Sequence, residues 1–257
     1  MEHHYDRYQV EQQVNRLEYN EDYFDLIQEN ARYYLPYIVS EVQKRGLPME
    51  IALLPIIESS LNPFAVSRSN AKGLWQFIPS TGYIYDLYGD HWEDDRRDVI
   101  RSTQAGLDYL EKLYDMFGDW SLAMGAYNGG PGTIQRAQRK NERSGRDTDY
   151  WSLKVYKETR QYVPKILAMA RVIKNPSRYG ITLRPLGSST LSQHPVMGPV
   201  SLTQVANCAQ MSFEEFYRYN AQYRRANTDY KQHLFVLPES RSSTFDRNFS
   251  RGVSKCK

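Results

Sequence analysis

The most informative part of the chain reads Pro48-Met49-Glu50-Ile51-Ala52-Leu53-Leu54-Pro55-Ile56-Ile57-Glu58-Ser59-Ser60. Proline is favoured at the start of a helix because the N–H that it lacks would have no partner there. We therefore expect a helix that opens at Pro48 and ends before Asn62-Pro63. Apolar residues lie on nearly every side of this helix, so it is predicted to be buried.

Glu58 is the exception on this helix. Ile51, Leu54 and Glu58 fall at i, i+3 and i+7, so the carboxylate shares a face with residues that belong inside. Burial and the negative end of the helix dipole both disfavour the ionised form and raise its pKa. A raised pKa is what a general acid needs near neutral pH. The alternative is a glutamate at a helix end that turns into solvent.

Apolar residues recur at helical spacing from about residue 21 to residue 181, with breaks at proline, glycine and asparagine. This pattern predicts a mainly α fold. The expected helices cover residues 23–30, 31–44 or 37–44, 48–60, 98–117, 120–128 and 159–174. The run Gly129-Gly130-Pro131-Gly132 predicts a turn after the fifth of them.

A chain of 257 residues can form one substantial domain and a small one. After residue 182 the composition shifts to proline, glycine and serine, which is typical of a linker. Two short helices and a strand at residues 233–237 then predict a small α+β unit. The boundaries we expect are residues 1–46 for an N-terminal helical segment packed on the main domain, 47–181 for that domain, 182–199 for a linker, 200–240 for the small unit and 241–257 for a flexible tail.

Composition excludes several classes of protein. The net charge of +3 suits an anionic polymer, but no dense basic stripe suggests a nucleic-acid partner. No apolar run is long enough to span a membrane, and the first residues lack an export signal. Cys208 and Cys256 lie far apart and form neither a disulfide framework nor a metal-ligand cluster, and we expect no metal and no cofactor. The 21 tyrosines and 4 tryptophans suit either sugar faces or a helical core.

Four ordered blocks of residues surround Glu58 in the sequence. They are Glu58-Ser59 with Ser67, Gly73-Leu74-Trp75-Gln76-Phe77, Ala126-Tyr127-Asn128-Gly129-Gly130, and Glu158-Thr159 with Tyr162-Val163. In order and spacing they resemble the blocks of soluble-lytic-transglycosylase (SLT) domains, over about residues 34–181. The runs Leu53-Leu54-Pro55-Ile56-Ile57-Glu58-Ser59 and Asp95-Arg96-Arg97-Asp98 resemble membrane-bound subgroup D of these enzymes.

The resemblance implies a goose-lysozyme-like helical domain and a lyase activity on peptidoglycan glycan strands. Glu58 is then the catalytic acid and base, which cleaves the β-1,4 bond between N-acetylmuramic acid and N-acetylglucosamine and leaves 1,6-anhydro ends. No second catalytic carboxylate is expected. The implied location is the periplasm, with attachment to the outer membrane only through an anchor absent from this sequence. We expect a monomer.

Chemistry suggests roles for three residues of the second block. Gly73 lets the backbone approach a sugar, Trp75 offers an aromatic wall, and Gln76 offers a donor and an acceptor. For Trp75 the alternative is an ordinary core anchor.

Four further substrate contacts follow from the resemblance. Ser67 corresponds to a serine near the reacting carbon, and Tyr127 is expected beside Glu58. The glycine turn brings Asn128 to the cleft together with Tyr127. Tyr162 corresponds to a tyrosine that closes the floor of the cleft.

The acidic cluster Glu93-Asp94-Asp95-Asp98 is the obvious source of a second catalytic carboxylate. Its position before a helix fits N-capping and ion pairing with Arg96 and Arg97 on a solvated surface. It also lacks the pattern of a calcium loop. We therefore expect a structural role.

The small C-terminal unit resembles the second half of a lysin motif (LysM), a module that binds N-acetylglucosamine polymers. The opening strand of that motif is not recognisable near residues 195–200, so the unit either binds sugar or only packs on the main domain. Two other functions remain open for the whole chain. One is a goose-type lysozyme, which hydrolyses the glycan, and the other is a non-catalytic wall-binding protein. A bacterial and a phage origin both fit the sequence.

Overall fold

The structure is a computed structural model that describes residues 4–187 and 190–256. In these residues the chain forms eleven α-helices and two β-strands, which confirms the predicted mainly α fold. The helices before residue 182 are α1 (Tyr8–Leu17), α2 (Glu21–Lys44), α3 (Leu54–Ser59), α4 (Pro79–Ile84), α5 (Val99–Phe117), α6 (Trp120–Gly129), α7 (Pro131–Glu142) and α8 (Lys157–Lys174). The C-terminal part contains β1 (Leu191–Met197), α9 (Leu202–Cys208), α10 (Phe213–Tyr219), β2 (Gln232–Pro238) and α11 (Glu239–Phe249). No helix of the described residues is long and apolar enough to cross a membrane.

A single helix, α2, covers the region for which the sequence suggests two. Pro36 lies inside this helix and cannot donate a backbone hydrogen bond. Tyr34 and Ile38, both fully buried, flank the proline. Their packing holds the helix together across the proline, because most helical stability in proteins comes from a buried apolar face.

The helix predicted over residues 48–60 is divided in two. A 3-10 turn covers Met49–Leu53, and α3 follows with Pro55 near its start. Pro55 lacks the N–H that would continue an α-helical ladder from the preceding turn, so the hydrogen-bond pattern changes there. Ile51, Leu54 and Ile56 are buried as expected. α3 ends at Ser60 in the left-handed conformation, directly after Glu58 and Ser59.

Helices α5 and α6 begin and end where the sequence predicts. The side chain of Asp98 accepts the N–H groups of Ile100 and Arg101, and Gly118 closes α5 with a φ of 65°. α6 packs against α5, α7 and α8 and forms the centre of the helical domain. Helix α7 was not predicted, because Ile134 is the one apolar side chain that it buries and its sequence has little apolar periodicity.

Strand β1 lies within residues 182–199, where a linker was expected. It pairs antiparallel with β2, and His194 stands opposite Phe235. The strand is hard to recognise because it contains Pro195 and several polar residues, which a strand at a sheet edge tolerates. The opening strand of the LysM-like unit is therefore present, and the expectation that it is missing is wrong. Ser188 and Ser189 of the expected linker lie outside the described residues.

Residues 241–257 were expected to form a flexible tail, but α11 occupies much of this segment and packs against α9. Phe245 of α11 is only 2% exposed. Cys256 then forms a disulfide with Cys208, across a Cα–Cα distance of 4.9 Å. The expectation that these two cysteines form no disulfide framework is wrong, because the fold returns the end of the chain to α9, which the sequence separation does not reveal.

The C-terminal unit is docked on the helical domain through backbone and side-chain contacts. The N–H of Asp94 donates to the carbonyl of Gln222 at 2.9 Å, and that of Arg224 donates to the carbonyl of Trp92 at 2.7 Å. On another side of the interface, the hydroxyl of the fully buried Tyr34 donates to the carbonyl of Arg218. These contacts favour a fixed arrangement of the two parts. They agree with the expectation that the LysM-like unit packs on the main domain and leave open whether it also binds sugar.

Replacing both cysteines, Cys208→Ala with Cys256→Ala, should destabilise the C-terminal unit. The bridge joins residues 48 positions apart, and removing a native disulfide typically costs about 2–5 kcal/mol. Thermal unfolding followed by circular dichroism should show a lower Tm for the variant, and a reducing agent should lower the Tm of the parent protein by a similar amount. If reduction and the double substitution both leave the Tm unchanged, the disulfide does not form in solution.

Candidate active site

A cleft of about 390 Å³ opens beside the end of α3, and Glu58 is one of its lining residues. The loop after α3 supplies one wall, and the end of α6 with the glycine turn supplies the other. The remaining lining residues are Ser67, Ser69, Ala71, Gln76, Phe77, Ile78, Thr81, Tyr109, Tyr127, Asn128, Gly129, Gly130 and Glu158. Five of the eight predicted site residues therefore line one cleft.

The Glu58 carboxylate is half-buried and has one side-chain hydrogen bond, from the hydroxyl of Tyr162 to its Oε1 at 2.5 Å. Burial raises the pKa of Glu58 to about 7, and the negative charge of Glu158 acts in the same direction. The Tyr162 hydrogen bond and the charge of Lys165 oppose this rise in pKa but do not cancel it. Glu58 is thus able to hold or release a proton near neutral pH.

The two tyrosines expected near Glu58 have different partners. Tyr162 is buried at the floor of the cleft and donates to Glu58. Tyr127 lines the cleft, but its hydroxyl donates to the backbone carbonyl of Trp75 at 2.8 Å. Burial, and then the nearby Glu58 charge, raise the pKa of both phenols well above their usual range, so both remain hydroxyl donors.

Ser67, Gln76 and Asn128 present polar groups to the cleft. The Ser67 hydroxyl lies 2.9 Å from that of Ser69 and accepts the N–H of Ala71. The Gln76 amide donates to the Gly73 carbonyl at 2.8 Å, which leaves its oxygen as an acceptor. The Asn128 amide is 3.4 Å from Glu158 Oε1.

Trp75 and Gly73 do not face the cleft. Trp75 is fully buried, donates from its indole to Thr103 Oγ1 at 3.0 Å and packs against Gly106 of α5. Gly73 has a φ of 79°, and a Cβ there would collide with the carbonyl of Arg96. Trp75 therefore does not form the expected aromatic wall, and Gly73 does not let the backbone approach a sugar. Both residues pack behind the wall of the cleft.

The acidic cluster is buried and not part of a solvated surface. Asp94 is 2% exposed and accepts from Lys72 and Arg96 at 2.8 Å. The Arg96 guanidinium also donates to the carbonyls of Asn70 and Phe77, which belong to the cleft wall. The predicted capping by Asp98 and the ion pairing of Arg96 are thus confirmed, whereas no ion pair of Arg97 is found among the described residues and the predicted surface position is wrong. The cluster fixes the loop that carries Ser67 and Gln76.

Three of the lining residues for which no role was predicted contribute a ring contact, a hydrogen bond or a charge. Tyr109 of α5 packs its ring 5.4 Å from that of Tyr127, and Ser69 shares a hydrogen bond with Ser67. Glu158 brings a second carboxylate to the cleft, where none was expected. Its spacing of four residues from Tyr162 on a helix would have placed the two on one face. In the described residues no group of three or more His, Cys, Asp or Glu side chains could hold a metal ion.

Comparison with known proteins identifies relatives of both parts of the chain. Residues 36–150 match the model of the transglycosylase SLT domain, and residues 190–252 match that of the LysM-like domain of lytic transglycosylase MltD. Membrane-bound lytic murein transglycosylase D of Escherichia coli K12 is 41% identical over 214 residues, which cover 82% of this chain and 47% of the relative. A putative tributyltin chloride resistance protein of an Alteromonas species is 38% identical over 167 residues, or 65% of this chain and 79% of that protein.

The chain thus spans about half the length of the transglycosylase D proteins that it matches. Among solved structures, an inactive mutant of the lytic transglycosylase Slt from Pseudomonas aeruginosa aligns with a TM-score of 0.40 and 23% identity. That alignment covers 57% of this chain and 24% of the other.

The raised pKa of Glu58 should make the free energy of unfolding depend on pH. An ordinary glutamate has a pKa near 4.3, so the folded state binds more protons than the unfolded state between about pH 4 and 7. Stability is therefore lost as the pH rises through this window, and the penalty is complete above pH 7. Glu58→Gln removes it and should stabilise the fold by about 1–2 kcal/mol at pH 8, after allowance for partial exposure.

Thermal unfolding at pH 4.5 and pH 8 measures this effect. We expect the Tm of Glu58→Gln to exceed that of the parent at pH 8 and to approach it at pH 4.5. Glu142→Gln, at an exposed glutamate of α7, is the matched control and should shift the Tm equally at both pH values. A pH-independent difference for Glu58→Gln would contradict the assigned pKa.

Proposed function

The chain belongs to the lytic transglycosylase family, and we propose that it cleaves the glycan strands of peptidoglycan with Glu58 as its catalytic acid and base. The observation that carries this proposal is a half-buried carboxyl group with a pKa of about 7 at the floor of a polar cleft. The substrate bond is the β-1,4 bond between N-acetylmuramic acid and N-acetylglucosamine. The reaction forms a 1,6-anhydro end on the muramic acid.

In the first half of the reaction Glu58 acts as the acid. Its carboxyl proton passes to the glycosidic oxygen while the bond from that oxygen to the anomeric carbon breaks. The glucosamine leaves with a free hydroxyl. The Tyr162 hydrogen bond to Glu58 Oε1 stabilises the carboxylate that forms, since an ionised acceptor strengthens the bond.

In the second half Glu58 acts as the base. It takes the proton from the carbon-6 hydroxyl of the same muramic acid, and that oxygen bonds to the anomeric carbon and closes the anhydro ring. The proton count balances, and Glu58 ends protonated as it began. An internal nucleophile needs no positioned water and gains from a high effective concentration.

Four residues are proposed to hold the sugar in the cleft, and a fifth to position Glu58. Ser67, Gln76, Tyr127 and Asn128 line it and offer hydroxyl and amide groups, while Tyr162 orients Glu58 from below. Gly73 and Trp75 are proposed to act indirectly. Trp75 accepts the Tyr127 hydroxyl on its carbonyl and so fixes that ring at the edge of the cleft.

A hydrolytic mechanism of the lysozyme type is the second candidate, and Glu158 favours it. Hydrolysis with two carboxylates needs one to give the proton and the other to activate water or trap the sugar. Glu158 lines the cleft, and its charge acts on Glu58. It is also exposed and near Asn128, so it could instead bind substrate amides.

We propose that the protein works in the periplasm, on the wall polymer and as a monomer. The Cys208–Cys256 disulfide supports an oxidising compartment, where such bonds persist. The relatives named membrane-bound support attachment to a membrane, here proposed to be the outer one. The LysM-like unit and the net charge of +3 support contact with an anionic glycan.

Glu58→Gln should remove nearly all lytic activity, because glutamine has the shape of glutamate but can neither give nor take the proton. One residue serves both half-reactions, so the rate of release of soluble fragments from purified peptidoglycan should fall by about 10³–10⁴. The matched control Glu142→Gln should retain the parent rate. Activity of Glu58→Gln above a tenth of the parent would refute Glu58 as the acid.

The products should carry 1,6-anhydro ends, one water lighter than reducing ends, and mass spectrometry of the digest separates the two. Glu158→Gln should keep activity within about tenfold of the parent, because no proton transfer passes through it. Reducing ends as the main product, together with an inactive Glu158→Gln, would establish hydrolysis with Glu158 as the second carboxylate.

A further inference from the structure

We propose that a second pocket, next to Glu58 on the other side of Tyr162, binds a carboxylate carried on a short apolar arm. Arg16 and Lys165 are the cationic residues of this pocket. The inference rests on the proposed function, and the ligand to which we commit is the peptide that extends from the lactyl group of muramic acid. That substituent carries free carboxylates and small apolar side chains.

The pocket has a volume of about 220 Å³ and lies between α1, α2, α3 and α8, with Tyr23 as the lining residue of α2. One part of its lining is apolar and comprises Leu17, Ile57 and Met169. The other part is polar, with Arg16, Lys165 and the nearly buried Gln13. This combination suits a ligand with both a charged end and methyl or methylene groups.

Helix α8 connects the pocket to the catalytic cleft. Glu158, Tyr162, Lys165 and Met169 follow one another at i, i+4, i+7 and i+11, so they share one face of the helix. Glu158 lines the cleft, Tyr162 donates to Glu58, and Lys165 and Met169 line the second pocket. The helical rise of about 1.5 Å per residue separates Glu158 from Lys165 by about 10 Å along the axis. A substituent on a sugar bound at Glu58 therefore comes within reach of the pocket.

Neither cation has an acidic partner in the described part of the chain. Lys165 as a residue is half-buried, and its ammonium has no carboxylate within ion-pair distance among the described residues, although its charge still lowers the pKa of Glu58. The Arg16 guanidinium donates to Gln13 Oε1 at 3.2 Å and to no carboxylate. By contrast, Arg171 of α8 forms an ion pair with Glu11 of α1, with a nitrogen–oxygen distance of 2.6 Å. Arg16 is exposed and Lys165 is partly buried, so a ligand carboxylate would supply the counter-charge that neither has within the described residues.

The location of the pocket also separates it from the matched catalytic domain. Residues 36–150 match the SLT domain, but Arg16, Leu17, Lys165 and Met169 lie outside that range. Ile57 is the lining residue that the domain contributes, directly beside Glu58. The pocket is thus formed where α1, α8 and the first turn of α2 pack against the helix that carries Glu58.

The test compares two substrates that differ only in the peptide. Glycan strands from purified wall are used intact or after an amidase has removed their peptides, and kcat/KM is measured on each. For the parent, the ratio of kcat/KM on intact strands to that on stripped strands should exceed one. Lys165→Gln and Arg16→Gln should each lower this ratio by about tenfold, as expected for loss of a hydrogen bond to a charged group.

Two further variants serve as controls for an effect of the lost charge on Glu58 and for an effect on folding. Lys165→Arg keeps the charge and should restore most of the ratio, and Lys140→Gln on α7 should leave it at the parent value. Circular dichroism confirms that each variant is folded. A parent ratio of one, or unchanged ratios in Lys165→Gln and Arg16→Gln, would overturn the proposal.

A binding experiment separates this inference from the proposed catalytic role. A soluble muramyl peptide, with its terminal carboxylates free or amidated, is titrated into Glu58→Gln by calorimetry. The free form should bind about tenfold more tightly, and Lys165→Gln introduced beside Glu58→Gln should abolish the difference. Equal affinity for the two forms would overturn the pocket even if Glu58 is essential for cleavage. Activity retained by Glu58→Gln would refute the catalytic proposal without affecting the binding result.

Discussion

The buried anion of Asp94 organises the wall of the cleft. Taking a carboxylate out of water costs several kcal/mol unless cations and hydrogen bonds surround it. Asp94 obtains them from Lys72 on the cleft loop and from Arg96 beside it in sequence, and its backbone N–H reaches Gln222 of the C-terminal unit. The cleft loop, the segment before α5 and the C-terminal unit must therefore come together for this charge to be accommodated. The LysM-like unit is in this sense part of the scaffold of the site.

The surroundings of Glu58, in the same domain, shift its pKa in the direction opposite to that of Asp94. Lys72 and Arg96 hold the pKa of Asp94 below its usual range, whereas burial and a neighbouring carboxylate raise that of Glu58. Environments that drive the pKa values of two carboxylates apart suit them to different tasks: Asp94 fixes structure, and Glu58 is the group that we propose exchanges protons. The environment of Glu58 lowers the stability of the fold when the carboxylate is ionised. The ion pairs and hydrogen bonds around Asp94 stabilise the same domain and help to offset that loss.

The sequence predicted those features that depend on local spacing. Glu58 stands out because it breaks an apolar helical face, and α5 can be bounded from Asp98 and Gly118, which cap it. The orientation of Trp75 could not be predicted, since its indole is satisfied by Thr103, on a helix 28 residues away in sequence. The Cys208–Cys256 pair and strand β1 likewise depend on where distant segments meet. The burial of Asp94 follows from a contact with Gln222 that no local pattern records.

Helix α8 lies beyond the matched residues 36–150, but it carries the fourth of the sequence blocks and contributes to the candidate site. The matched residues include Glu58 and Tyr127, but the hydroxyl that donates to Glu58 within the described residues belongs to Tyr162 on α8. α8 is held in turn by α1, through the ion pair of Arg171 with Glu11. A shift of α8 along its axis would move Tyr162 away from Glu58, remove the hydrogen bond that stabilises the carboxylate and raise the pKa of Glu58 further. The N-terminal segment therefore acts on the acid through the position of one tyrosine, although Tyr8–Leu17 supplies no residue that lines the catalytic cleft in the described part of the chain.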